Sequence, residues 1–171
     1  MRNQETLNLF QLEREASERS LLLRIKVGRP LNLWALRLVV AEPIRPEKVR
    51  IVGEMKAWAY PGIKGLQLDT MKVLPQTTPG VGPLIWASTM AWALENTPCK
   101  QARLLAVSDA PVNHAKLTRY FRWQGFNTIK DVGSSPTDLP LRLVWGGAGS
   151  LMVANCQEVL QKNYLRWVNK K

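Results

Sequence analysis

The chain has 171 residues, 46% apolar and 22% charged, which suits one domain with a sizeable core and excludes a disordered or low-complexity polypeptide. Twenty-four basic against 13 acidic side chains give a formal net charge of +11, so the surface should attract polyanions: nucleic acid, anionic lipid, an acidic protein or a phosphate-rich cofactor. The two cysteines, Cys99 and Cys156, have no metal-ligand spacing. They suit a reduced, intracellular, cytoplasmic protein, with a single bridge between them left open.

The N-terminus has no apolar segment of the signal-peptide kind. Residues 5–18 mix charges and leucines and fit a short helix or a loose arm, so residues 1–19 are set apart from one domain over 20–171. From Ser20 the pattern changes to strands: Leu21–Val27, Leu33–Val40, Val49–Ala59 and Leu66–Leu74. Gly28-Arg-Pro, the Glu42-Pro and Arg45-Pro-Glu stretch, and Pro61-Gly-Ile-Lys-Gly separate them as turns. Short turns imply antiparallel neighbours, because parallel ones need long crossovers. The uncharged stretch from Val73 to Leu94 carries Pro75, Pro79, Pro83, Gly80 and Gly82, which break any membrane-spanning helix. Its second half, Leu84–Leu94, has no polar face and reads as a buried helix with Pro83 at its first position. A short buried strand over Ala102–Val107 follows. Ser108-Asp109-Ala-Pro111 then signals a helix start, and the helix runs from Val112 to Gln124 with Gly125 closing it. Phe126–Val132 and Leu141–Trp145 read as strands and Val159–Val168 as a terminal helix, an α/β (α+β) chain with a mixed, mostly antiparallel sheet flanked by helices.

The segment from Leu68 to Val132 resembles the core of the GNAT (acyl-CoA N-acyltransferase) superfamily. The residues that carry the likeness are Met71-Lys-Val-Leu-Pro75, then Gly80-Val-Gly82 opening a helix, then a strand, a helix and Gly125-Phe126. Independently of any family, glycines let backbone approach a ligand, and the N–H groups of a first helical turn favour a pyrophosphate. The resemblance implies acetyl-CoA bound by Val73, Thr78, Gly80, Val81, Gly82, Leu84, Ser108 and Phe121, with a backbone N–H near Val73 polarising the thioester. The sequence also departs from the family. Thr77 stands where Gln or Arg is usual, and Pro83 removes one N–H. Phe121 replaces the tyrosine that acts as general acid, with Tyr120 beside it. Between Val27 and Leu33 there is room only for a tight turn, where the family inserts helices that wall the acceptor site.

Amine acetylation needs a proton acceptor near the ends of the central strands, for which Glu54 and Asp69 are the candidates and Tyr120 the candidate acid. Each acid is equally a residue of a solvated strand face, Ser108 and Asp109 equally a helix cap, and His114, the single histidine, a surface residue. Lys116, Arg119 and Arg122 recur at every third residue beside Tyr120 and Trp123, a pattern that suits nucleic acid as well as a solvated face. Of seven tryptophans, Trp86 and Trp92 fit the core, and Trp58, Trp123 and Trp167 a contact surface. Three functions follow: an acetyl-CoA-dependent N-acetyltransferase, with a macromolecular amine among its candidate acceptors; a non-catalytic protein of the same fold that docks an acidic protein partner; and a nucleic-acid binder.

Overall fold

The computed structural model describes residues 7–107, 111–145 and 147–170. Ten residues, Leu9–Glu18, form α1, opened by the Asn8 side chain accepting from the Gln11 N–H. A three-strand meander follows: β1 (Leu22–Gly28), β2 (Trp34–Arg45) and β3 (Lys48–Ala59), continued by β4 (Leu66–Val73). Then come α2 (Val81–Asn96), β5 (Gln101–Val107), α3 (Pro111–Gln124), β6 (Asn127–Val132), α4 (Leu139–Trp145), β7 (Gly149–Asn155) and α5 (Cys156–Asn169). Among the described residues these seven strands make one sheet in the order β1-β2-β3-β4-β5-β7-β6. Every neighbouring pair is antiparallel except β4 and β5. No helix is long and apolar enough to cross a membrane, among the described residues.

Three expectations need correction. Glu42-Pro43 is not a turn: β2 runs on to Arg45. Pro43 is tolerated there because β1 ends its pairing opposite Ala41 and leaves that edge of β2 unpaired. Leu141–Trp145 lies in a helix, not a strand, with Leu143 and Val144 exposed. The strand on that stretch of chain is β7, which pairs with β5 on one side and β6 on the other. Finally, α2 begins at Val81 behind Gly80, so Pro83 is its third residue and still lies in the turn where a missing N–H costs no helical bond.

The core is built around α2, buried on all sides as its sequence requires. α5 packs along it, and Gly53 on β3 lets Ile85 and Val81 press against the sheet where any Cβ would clash. Leu12 and Ala16 of α1 are fully buried in the same cluster. The chain is tied there by polar bonds as well. The Glu15 carboxylate accepts from the Tyr164 hydroxyl at 2.9 Å and the Trp167 indole at 3.1 Å, while Arg19 donates to the carbonyls of Trp167 and Lys170.

Candidate functional site

β4 and β5 pair through only two rungs, Leu66 with Ala102 and Gln67 with Arg103, and then part. A wedge opens beyond them toward the ends of both strands. Met55, Leu68, Met71, Trp86, Leu104 and Phe121 line it, together with Asp69 and Thr70, around a cavity of about 60 Å³. Asp69 stands at a β-bulge: Leu68 pairs with Ala57 and Thr70 with Lys56, which leaves Asp69 as the extra, unpaired residue. Its exposed carboxylate also borders a second depression, about 330 Å³, formed with Lys26, Arg37, Lys56 and Trp58.

The wedge is filled from the helix side. Trp86 of α2 meets Phe121 edge-on at 6.3 Å and Phe126 at 5.7 Å. Its indole N–H donates to the Tyr120 hydroxyl at 2.9 Å, so a hydrogen bond spans from α2 to α3 beside the wedge. Tyr120 and Phe121 point differently from adjacent helical positions, yet both reach Trp86. The Tyr120 hydroxyl accepts in that bond and keeps its own proton to donate.

At the mouth, the loop from Leu74 to Gly80 leads into α2. Gly80 caps the helix at φ +92, and a Cβ there would lie 2.9 Å from the Trp167 ring. This glycine faces the core of the molecule. Gly82, by contrast, has nothing within 4 Å of the place a side chain would occupy. Val81 and Leu84 are buried, and the Leu84 N–H is spent on the Gly80 carbonyl within the helix. Thr78 is also engaged. Its N–H and its hydroxyl both donate to Glu42 Oε1 at 2.8 Å, and Arg50 grips the other carboxylate oxygen at 2.9 Å. The Thr78 N–H first, then its hydroxyl and Arg50, hold the Glu42 carboxyl below the usual carboxylate range. Pro83 has no N–H and the Leu84 N–H is used inside the helix, which leaves those of Val81 and Gly82 in the first turn, while the Glu42 carboxylate is held at Thr78, three residues ahead of the helix.

The other sequence candidates separate. Val73 ends β4 opposite Gly53, and the next N–H, that of Leu74, is given to the Val52 carbonyl. Glu54 accepts from Arg37 Nε at 2.6 Å, a bond that pulls its carboxyl below the ordinary range and makes it a poor proton acceptor. Ser108 and Asp109 lie outside the described residues. His114 is not simply a surface group: Nε2 lies 3.2 Å from the Ser150 hydroxyl, which donates to Asp131 at 2.7 Å. Trp167 is fully buried and so is no contact-surface residue. Sequence reasoning missed Glu42, whose partner is 36 residues away, and the second role of Trp86, which no local pattern distinguishes from a core residue.

A mixed sheet that splays at its one parallel pair, with a glycine-capped helix leaving the first strand of that pair and Gly125-Phe126 after the next helix, is the arrangement the sequence resemblance implies. The fold is a mixed, mostly antiparallel seven-stranded sheet flanked by helices. No family model and no curated protein matches the chain. Among solved structures it is similar to an uncharacterised protein from Bacillus halodurans, at 18% identity over 80% of this chain and 67% of that one, with a TM-score of 0.48. It is also similar to a chimera of the spermidine N-acetyltransferase SpeG from Vibrio cholerae and hSSAT, at 11% identity over 94% and 84%, TM-score 0.49. A third similarity is to nourseothricin acetyltransferase, at 14% identity over 83% and 94%, TM-score 0.48.

Proposed function

We propose that this chain binds acetyl-CoA at the β4/β5 wedge and passes its acetyl group to an amine. The observation that carries the reading is the wedge itself: two strands that part after two rungs, with a glycine-bearing helix start at the mouth and an unpaired carboxylate at the bulge. The first-turn N–H groups of Val81 and Gly82, on the open side of Gly82, are the groups suited to a pyrophosphate. A thioester held at the wedge supplies the activated acyl group. Asp69, exposed and bordering both the wedge and the wider depression, takes the proton of the attacking amine. Tyr120, its oxygen fixed by Trp86, offers a proton to the leaving thiolate. Between β1 and β2 the chain makes only the three-residue 3-10 turn Pro30–Asn32, a short connection beside the wider depression that suits an acceptor amine carried on a large molecule.

A second reading, a protein that keeps this fold without turnover and docks an acidic partner, is favoured by two features of the same site. The cavity of about 60 Å³ is well below the roughly 300–1,000 Å³ of pockets that enclose a ligand. Glu42 already places a carboxylate on Thr78 in the loop that leads into the helix.

Thermal unfolding with millimolar acetyl-CoA separates the two, measured on the wild type, Gly82→Glu and Glu42→Ala. Under the first reading the wild type gains a few degrees, since a ligand at 100 times its Kd adds about 2.7 kcal/mol. Gly82→Glu, whose side chain enters open space and suits a helix start, abolishes the shift, and Glu42→Ala enlarges it. No shift in any of the three folded proteins overturns the enzyme reading and leaves the second.

A further inference from the structure

A one-sided cluster of charge lies outside the wedge, where the end of α3 meets α5. Lys116, Arg119 and Arg122 follow at single-turn intervals along α3, and all three are exposed. α5 brings two more cations to the same corner. Lys162 Nζ donates to the Trp123 carbonyl at 3.1 Å, and Arg166 donates to that carbonyl and to Gln124 Oε1, each at 3.0 Å. These bonds satisfy the carbonyl left open at a helix end and hold α5 against α3. Against the five cations, Glu158 is the one acid in either helix.

Trp123 stands in the middle of this corner, 57% exposed. The Arg166 guanidinium lies 3.2 Å from its ring centroid on one side. Trp86, Trp92 and Trp167 are buried and fill the core, whereas Trp123 leans on Tyr120 and Arg166 and keeps much of its ring in water among like charges. Five cations set against a single acid call for a polyanion. The ring decides between the two kinds. A carboxylate chain has no flat face to lay on an indole, while a nucleobase stacks on aromatic rings and on guanidinium planes alike.

We propose that the α3–α5 corner binds single-stranded nucleic acid, with backbone phosphates on Lys116, Arg119, Arg122 and Lys162 and a base on Trp123. The site is separate from the acyl-transfer reading and stands or falls without it. Its test is fluorescence anisotropy of labelled 20-nucleotide oligo(U) and oligo(dT) at a series of potassium chloride concentrations. Binding is expected to weaken with salt with a logarithmic slope of about −3, near −0.7 for each of four phosphates. The Lys116→Ala/Arg119→Ala/Arg122→Ala protein should flatten that slope by about 2. Trp123→Ala should weaken binding roughly 5- to 100-fold and leave the slope unchanged. Arg45→Ala/Lys48→Ala, which removes two exposed charges at the β2–β3 turn, should bind as the wild type does. The proposal is overturned if the triple variant binds normally, or if the Arg45/Lys48 pair matters equally. It is also overturned if polyglutamate binds as tightly as the oligonucleotides and Trp123→Ala has no effect, which would assign the corner to an acidic protein. Circular dichroism melts of each variant keep a folding defect from passing as lost binding.

Discussion

Gly80 and Gly82 look interchangeable in a Gly-x-Gly motif and do different things. Gly80 needs its glycine twice over, once for φ +92 and once because the Trp167 ring lies where a side chain would go. Gly80→Ala is expected to cost about 1–3 kcal/mol, a fall in Tm of roughly 3–10 °C by calorimetry, with no need of any ligand to see it. Gly82→Ala should leave Tm almost unchanged, since nothing crowds that position. The sequence shows that both are glycine. It does not show that one glycine answers to a tryptophan 87 positions away, because that contact exists only once α5 lies along α2. The cysteines illustrate the same limit. Burial raises the Cys156 thiol to about 12, with Cys99 nearby adding to the effect, so Cys156 is a packing residue rather than a nucleophile.

Among the elements, the turn before α2 shows how a loop is pinned by a carboxylate from a distant strand. Glu42 reaches it from β2 and bonds Thr78 twice, holding a carboxylate in the loop ahead of the helix. A carboxyl whose pKa is lowered on folding adds stability above its unfolded value and loses it as pH falls through its folded value. Wild-type Tm should therefore drop as the solution is acidified through and below the carboxylate range. The drop should be shallower in Glu42→Gln, which keeps an acceptor for Thr78 and has no charge to lose. A pH series of melts on the two proteins checks this. The elements themselves were legible where pattern and punctuation agreed: the β1–β4 meander with its proline and glycine turns, the featureless apolar α2, and the Gly125 stop of α3. They were illegible where an apolar run was short. Leu141-Arg-Leu-Val-Trp145 has the composition of a strand and forms a surface helix, and β7 is buried on both faces and so shows no alternation.

For the molecule as a whole, two consequences follow from where the helices sit. α1 is as much a part of the core as any strand, although its sequence alone is compatible with a loose arm. Removing residues 1–19 takes away Leu12 and Ala16 and leaves the buried Trp167 indole without its Glu15 acceptor. The expected loss is about 3–6 kcal/mol, enough to lower Tm by more than about 10 °C or to leave the protein open to trypsin under native conditions. The glycine-bearing start of α2 and the short connection between β1 and β2 were readable in advance, because each is a local matter of spacing and turn chemistry. What fills the wedge was not, since the meeting of Trp86 with Tyr120 and Phe121 depends on how two helices lie over one sheet.

The packing of α5 along α2 also orders events while the chain is being made. α2 is apolar on every side, and a large part of its cover comes from a helix that begins 60 residues after α2 ends. Until α5 has been synthesised, a greasy helix stands half-dressed beside a finished meander of strands, a species prone to stick to its own kind. A nascent chain of this protein is thus most vulnerable in the interval between its second helix and its fifth, and that is where a chaperone would find it.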